Sequence, residues 1–211
     1  MLRLENVVKT FGGVVATDHV SLDFPDGSLS AVIGPNGAGK TTLFNLITGH
    51  LVPDSGRILL GDEDIAGMPP ARIVRKGVGR AFQVASIFPT MTVEQALMAA
   101  VASHVHMSEN LLSAFPPPSV RQRAEELVEL LGMGPEERWQ MIRTVRRLWE
   151  QGRMTLVFIE HDMDIVFEVA QTISVLRYGA VLAQGTADEI RNNPEVIEAY
   201  LGTENYEEEP A

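Results

Sequence analysis

The stretch that most constrains this chain is GPNGAGKTT, Gly34 to Thr42, set between the apolar run SLSAVIG and the amphipathic run KTTLFNLITG. It matches G-x-x-x-x-G-K-[ST] and lies after a strand and before a helix, the context that separates a phosphate-binding loop from an ordinary glycine-rich turn. Gly34, Gly37 and Gly39, with Pro35, Asn36 and Ala38 between them, let the backbone curl until successive N–H groups converge on phosphate oxygens. The start of the following helix adds its positive end. Lys40 would neutralise the β- and γ-phosphates, the Thr41 hydroxyl would ligate Mg²⁺, and the loop through Thr42 would hold the phosphates.

Around this loop, apolar periodicity lays out strands and helices in turn. RLENVV, HVSLDF and SLSAVIG read as three strands, with Pro25-Asp26-Gly27 turning between the last two. Leu43, Leu46 and Ile47 share one helical face, and Gly49 suits the C-terminal cap. RILLGDEDI reads as a strand and turn, PPARIVRKG as a helix opened by proline and closed by glycine, and GRAFQ as a short strand. Thr92 and Gln95 have the spacing of a capping box for the helix TVEQALMAAVASHV. Pro116-Pro117-Pro118 breaks the chain before the charged amphipathic helix SVRQRAEELVELLG. Farther on come the helix PEERWQMIRTVRRLWEQG, the strand MTLVFIEHD, the helix MDIVFEVAQ, the strands TISVLRYG and AVLAQG, and short helices at TADEIRNN and PEVIEAYLG. This alternation predicts an α/β fold with a largely parallel sheet covered by helices on both faces.

Composition narrows the function. The 211 residues are 45% apolar, enough for one domain, or one domain carrying a small subdomain. A formal net charge of -11 argues against a nucleic-acid partner, because neutralising phosphates requires clustered Lys and Arg. The absence of cysteine removes disulfides, thiolate metal sites and cysteine nucleophiles. No window reaches the ~20 apolar residues that span a bilayer, and MLRLENVVKTFGG has no signal-like apolar run. A cytoplasmic protein is the expectation. His19, His50, His104 and His106 lack ligand spacing with carboxylates, so a metal site built from protein side chains alone is not expected.

Taken together, GPNGAGKTTLFNLITG and the following PDSGRILLGDEDI resemble the ATPase subunits of ABC transporters. FGGVVATDHVSL, GVGRAFQVASIFPTMTVEQAL and the C-terminal EHDMDIVFEVAQTISVLRYGAVLAQGTADEIRNNPEVIEAYLG narrow the resemblance to the importers of branched-chain or other hydrophobic amino acids. It covers residues 2–104 and 134–202. The resemblance implies a P-loop NTPase of ABC ATPase type: a single domain over 1–211, mainly parallel, with an antiparallel β part around Phe11 and a helical subdomain near 85–132. It implies ATP and Mg²⁺ as cofactors, with Phe11 stacking on adenine, Gln83 reaching Mg²⁺ or the attacking water, and His161 contacting the γ-phosphate. Glu160 receives no catalytic role, because the family's water-orienting carboxylate lies on another strand. Transmembrane permease subunits, a second ATPase subunit in a homo- or heterodimer and, indirectly, a solute-binding protein are the implied partners. The implied location is the inner face of the cell membrane, held there through the permease.

Two elements of that family are absent. No Ser-Gly-Gly occurs anywhere in the chain, and no run of four apolar residues ends in Asp-Glu. The signature would close over ATP bound to the opposite subunit, and the Asp-Glu strand would supply the Mg²⁺-shell and water-orienting carboxylates. The gap falls at the 131–134 join, in VELLGMGPEERWQ, and amounts to about one helix, a loop and a strand. Either the protein is longer than this sequence, or it carries a genuine internal deletion. Losing a central strand would expose backbone and apolar surface at a cost of many kcal/mol, against the ~5–15 kcal/mol by which domains are stable, so the longer protein is the expectation. As it stands, the sequence also admits a module that binds ATP without hydrolysing it. A GTPase is disfavoured by the absence of Asn-Lys-x-Asp.

Overall fold

The computed structural model describes residues 1–80, 98, 101, 119–123, 146, 147, 149–152 and 154–204, with side chains to Tyr200 at the C-terminal end. The chain forms two compact units, Met1–Arg80 with Trp149–Ala211, and Ala81–Leu148. In the second unit, residues 98, 101, 119–123, 146 and 147 are helical. Gln83, the Thr92–Gln95 cap and the 131–134 join lie outside the described residues, as does most of the expected helical subdomain.

The first unit runs β1 (Leu2–Phe11), β2 (Val14–Phe24), β3 (Leu29–Ile33), α1 (Lys40–Ile47), β4 (Ser55–Leu60), β5 (Glu63–Asp64) and α2 (Pro70–Arg75). It continues with β6 (Leu156–Phe158), α3 (Met163–Val169), β7 (Thr172–Arg177), β8 (Ala180–Gly185), α4 (Ala187–Arg191) and α5 (Pro194–Glu204). One sheet has the order β2-β1-β4-β5 and is antiparallel throughout. The other has the order β6-β3-β7-β8, with β6 and β7 parallel to β3 and β8 antiparallel on β7.

β1 and β2 run to 10 and 11 residues, longer than the alternating stretches RLENVV and HVSLDF. Their register shifts between Leu4 and Val7 and again on both sides of Lys9. Each irregularity flips the face that a side chain meets, so a strict period of two is lost although pairing continues. The turn at Pro25-Asp26-Gly27 forms as expected, with the Ser28 N–H donating to the Pro25 carbonyl at 3.1 Å. The chain entering β6 docks on this turn: Trp149 Nε1 and the Leu156 N–H donate to the Gly27 and Ser28 carbonyls at 3.0 and 2.9 Å.

All five residues of β3 are buried, the mark of a strand covered on both faces. Successive side chains point to opposite sides. Val32 joins Leu43, Leu46 and Ile47 of α1 and the apolar face of the antiparallel sheet, including Val20, Phe24 and Ile58. Ala31 and Ile33 join Val166 of α3, Ile190 of α4 and Val196 of α5. Each Val, Leu, Ile or Phe side chain among these contributes ~1.5–3 kcal/mol on burial, so β3 is fixed from both sides. The element that precedes the glycine-rich loop is therefore the best-anchored strand of the sheet. Among the described residues, no helix is long and apolar enough to cross a membrane.

Candidate functional site

The loop from Gly34 to Gly39 joins the C-terminal end of β3 to α1. Gly34 and Gly39 have φ of 148° and 97°, and a Cβ at either would come within 2.2 Å of a carbonyl oxygen, that of Leu176 or of Ala16. Glycine is required at both for two reasons at once: the backbone conformation and the close approach of β7 and β2. Gly179, between β7 and β8, knits these neighbours to the loop. Its N–H donates to the Ala38 carbonyl at 3.2 Å, and its carbonyl accepts from the Asp18 N–H at 2.8 Å.

Lys40 opens α1 and is buried, its side chain folded back into the loop. Nζ donates to the carbonyls of Gly34 and Pro35 at 2.6 and 2.9 Å. Burial pushes the ammonium's pKa below the ordinary lysine value. A triphosphate reaching this loop would meet a cation already desolvated and oriented, whose charge it would help to stabilise. Asn36, Gly37 and Thr41 are exposed at the same place, so the loop's outer side and the first turn of α1 are open to a ligand. The Thr41 hydroxyl is thus free to serve as one oxygen donor to a cation. Among the described residues, no group of three or more His, Asp or Glu side chains could hold a metal ion by itself.

β6 lies parallel to β3 with Phe158 level with Ala31. His161 and Gly34 each follow that pair by three residues, so both emerge at the carboxyl edge of the same sheet, where open α/β sheets bind ligands. His161 is exposed. The next residue, Asp162, caps α3 by accepting from the Asp164 and Ile165 N–H groups at 3.1 and 3.4 Å. Glu160 accepts from the Asp162 N–H at 3.4 Å. Its carboxylate thus helps shape the turn that presents His161.

Phe11 ends β1 and is 47% exposed, unlike the buried aromatic Phe24 at the end of β2. It pairs with Val14 across the hairpin, two residues from the Ala16 carbonyl that abuts Gly39. The hairpin tip therefore stands beside the loop. The Lys9 ammonium lies over the Phe11 ring, 5.6 Å from its centroid. Lys9 and Thr10 are in turn held by Asp54, whose carboxyl is pulled down to about 2 by the hydrogen bonds from Lys9 and Thr10.

Two participants escaped the sequence reading. Asp54 received no reading of its own in the sequence, and only the fold brings it to the end of β1. Tyr200 sits on α5 among Ile33, Val166 and Val196, where burial raises its hydroxyl pKa against the opposing pull of the Gly34 N–H. No spacing rule links a tyrosine in a C-terminal helix to a loop far earlier in the chain.

With this geometry in place, comparison with known proteins is direct. A family model described as ABC transporter matches residues 17–153, and one described as branched-chain amino acid ATP-binding cassette transporter matches 180–205. The chain belongs to the ABC transporter family, as an ATP-binding cassette of the kind whose activity is ATP hydrolysis. It is 32% identical to the high-affinity branched-chain amino acid transport ATP-binding protein BraF of Pseudomonas aeruginosa, over 96% of this chain and 98% of that one. The corresponding protein LivG of Escherichia coli K12 gives the same identity and coverage. Among solved structures, the ADP conformation of MJ1267, an ATP-binding cassette of an ABC transporter, superposes with a TM-score of 0.80 at 27% identity, over 96% of this chain and 98% of that one. The BraF alignment spans 251 positions, and 96% of 211 residues supplies about 203 of them, so about 48 positions of the relative face no residue here.

Proposed function

We propose that this chain is the ATP-binding subunit of an importer for branched-chain or other hydrophobic amino acids, coupling ATP binding and hydrolysis to uptake. The observation that carries the proposal is the desolvated Lys40 ammonium inside a glycine-formed loop at the end of β3. In this reading Phe11 stacks on adenine, Gly34 to Thr42 hold the phosphates, and His161 meets the γ-phosphate. Thr41 and Gln83 would hold Mg²⁺, which shields charge on the phosphates when bound. The domain spans 1–211 with its helical part near 85–132. The partners are permease subunits, which bring the chain to the inner face of the cell membrane, a second ATPase subunit, and a solute-binding protein acting through the permease. Two relatives named for branched-chain amino acid transport, and the match at 180–205, support the choice of solute. Uptake of labelled leucine by cells carrying this chain as their only such ATPase tests it. Uptake should be restored, and Lys40→Ala should abolish it.

A second reading has its own support: a module that binds ATP without turning it over. Neither a Ser-Gly-Gly signature nor an Asp-Glu strand is present, and about 48 positions of the relative are unmatched. Phosphoryl transfer to water needs a group that orients the attacking molecule, and the sequence has no run of four apolar residues ending in Asp-Glu to supply that carboxylate. The purified chain separates the two. Multiple turnovers of ATP, with an intact mass several kilodaltons above 23.1 kDa, support the importer ATPase. ATP binding without turnover at a mass of 23.1 kDa supports the module.

A further inference from the structure

β1 and β4 are paired as far as Val8 and Ser55, where their ladder ends. Beyond it Lys9, Thr10 and Phe11 have β2 on one side and, among the described residues, no strand on the other. Asp54, the residue just before β4, takes over. Its N–H donates to the Val8 carbonyl at 2.8 Å. One carboxylate oxygen accepts from Lys9 Nζ at 2.8 Å, and the other from both the Thr10 N–H and the Thr10 hydroxyl at 2.7 Å. Four hydrogen bonds from one residue thus tie down the three residues that lead into Phe11.

The same carboxylate decides where the Lys9 ammonium sits. Drawn to Asp54, Nζ rests over the Phe11 ring, so one ring face is backed by a cation while the side chain remains 47% exposed. A cation on one face of an aromatic ring is held by the ring's quadrupole and restricts how the ring can tilt. We propose that Asp54 is a positioning residue for nucleotide recognition: by clamping Val8, Lys9 and Thr10 it holds Phe11, backed by Lys9, as a fixed platform on which a purine base stacks. The proposal rests on the adenine-stacking reading of Phe11. It assigns discrimination between a nucleoside triphosphate and a bare triphosphate to a residue that touches neither.

The test compares Mg²⁺ complexes of ATP and of inorganic tripolyphosphate, by equilibrium binding to the purified full chain. Ordering a side chain that the clamp no longer holds should weaken ATP binding by about three- to tenfold in Asp54→Ala, and by less in Asp54→Asn. Tripolyphosphate affinity should stay within about twofold, which also shows that the loop remains folded. In a Phe11→Ala background, Asp54→Ala should have no further effect on ATP, because its influence passes through the ring. Equal weakening of both ligands, or full additivity with Phe11→Ala, would overturn the proposal. So would Phe11→Ala weakening ATP while Asp54→Ala leaves it unchanged, an outcome that spares the adenine reading. If Phe11→Ala leaves the ratio of the two affinities unchanged, the adenine reading fails and the proposal fails with it.

Discussion

At the scale of single residues, the site is built from side chains whose charge is controlled by what surrounds them. Lys40 is the clearest case. Its two carbonyl partners belong to the loop itself, so Lys40→Ala removes the cation proposed to meet the phosphates and also takes a donor from the Gly34 carbonyl, while the Pro35 carbonyl keeps the Ala38 N–H. Charge-assisted hydrogen bonds contribute about 1.5–3 kcal/mol, so binding of Mg²⁺-ATP should weaken by about 10- to 100-fold, measurable by isothermal titration calorimetry. Asp54 gives a pH signature. Its folded-state pKa of about 2 lies below the ordinary 3.8. A carboxylate depressed in this way contributes stability that is fully present above its unfolded pKa and is lost as pH falls through the folded one. Urea melts of the parent chain and of Asp54→Asn should therefore differ most above pH 4 and converge as pH approaches 2. A constant gap across that range would show that the carboxylate charge is not what holds the end of β1.

At the scale of elements, caps and turns decide where the functional side chains stand. α3 is a seven-residue helix whose start is fixed by the Asp162 carboxylate, immediately after His161. Asp162→Ala should lower unfolding free energy by about 1 kcal/mol, whereas Asp162→Asn, which can still accept from the same N–H groups, should cost less. Chemical denaturation of the two variants checks this, and equal losses would shift the role from the cap to the charge. The same devices explain what could be read from the sequence. The loop and α1 were legible because glycine, lysine and the apolar face occur at fixed spacing. Gly49 was legible as the end of α1, and there the His50 and Gly49 N–H groups donate to the Asn45 and Leu46 carbonyls. The full lengths of β1 and β2 were hidden by their bulges. Asp54 was hidden because its partners lie more than 40 residues earlier, and Tyr200 because its neighbour Gly34 is reached only through packing. Phe11 and His161 were singled out through family resemblance alone, since a lone aromatic or a His-Asp pair carries little signal by itself, and their roles remain proposals.

At the scale of the whole molecule, the proposed ligand and the protein repel each other. The chain carries a formal charge of -11, and Mg²⁺-ATP is itself an anion. Binding must therefore rest on a local positive site strong enough to overcome the distant field, and the structure offers one: Lys40 and the loop's backbone at the start of α1. The two contributions respond differently to salt. Surface charges more than ~10 Å away are largely screened at 0.1 M ionic strength, whereas a buried cation in contact with its ligand is screened much less. Raising KCl from 50 to 500 mM should then weaken the distant repulsion while sparing the contact, leaving ATP affinity changed by no more than about threefold. A protein that gathers its anion with exposed lysines and arginines behaves otherwise, losing affinity steeply as condensed counterions lose their entropic advantage. A steep loss here would mean that exposed cations outside the loop hold the phosphates, and Lys40 would then cede its central place. A flat or slightly rising profile, abolished in Lys40→Ala, is the result expected when one desolvated lysine does the recognising on an acidic protein.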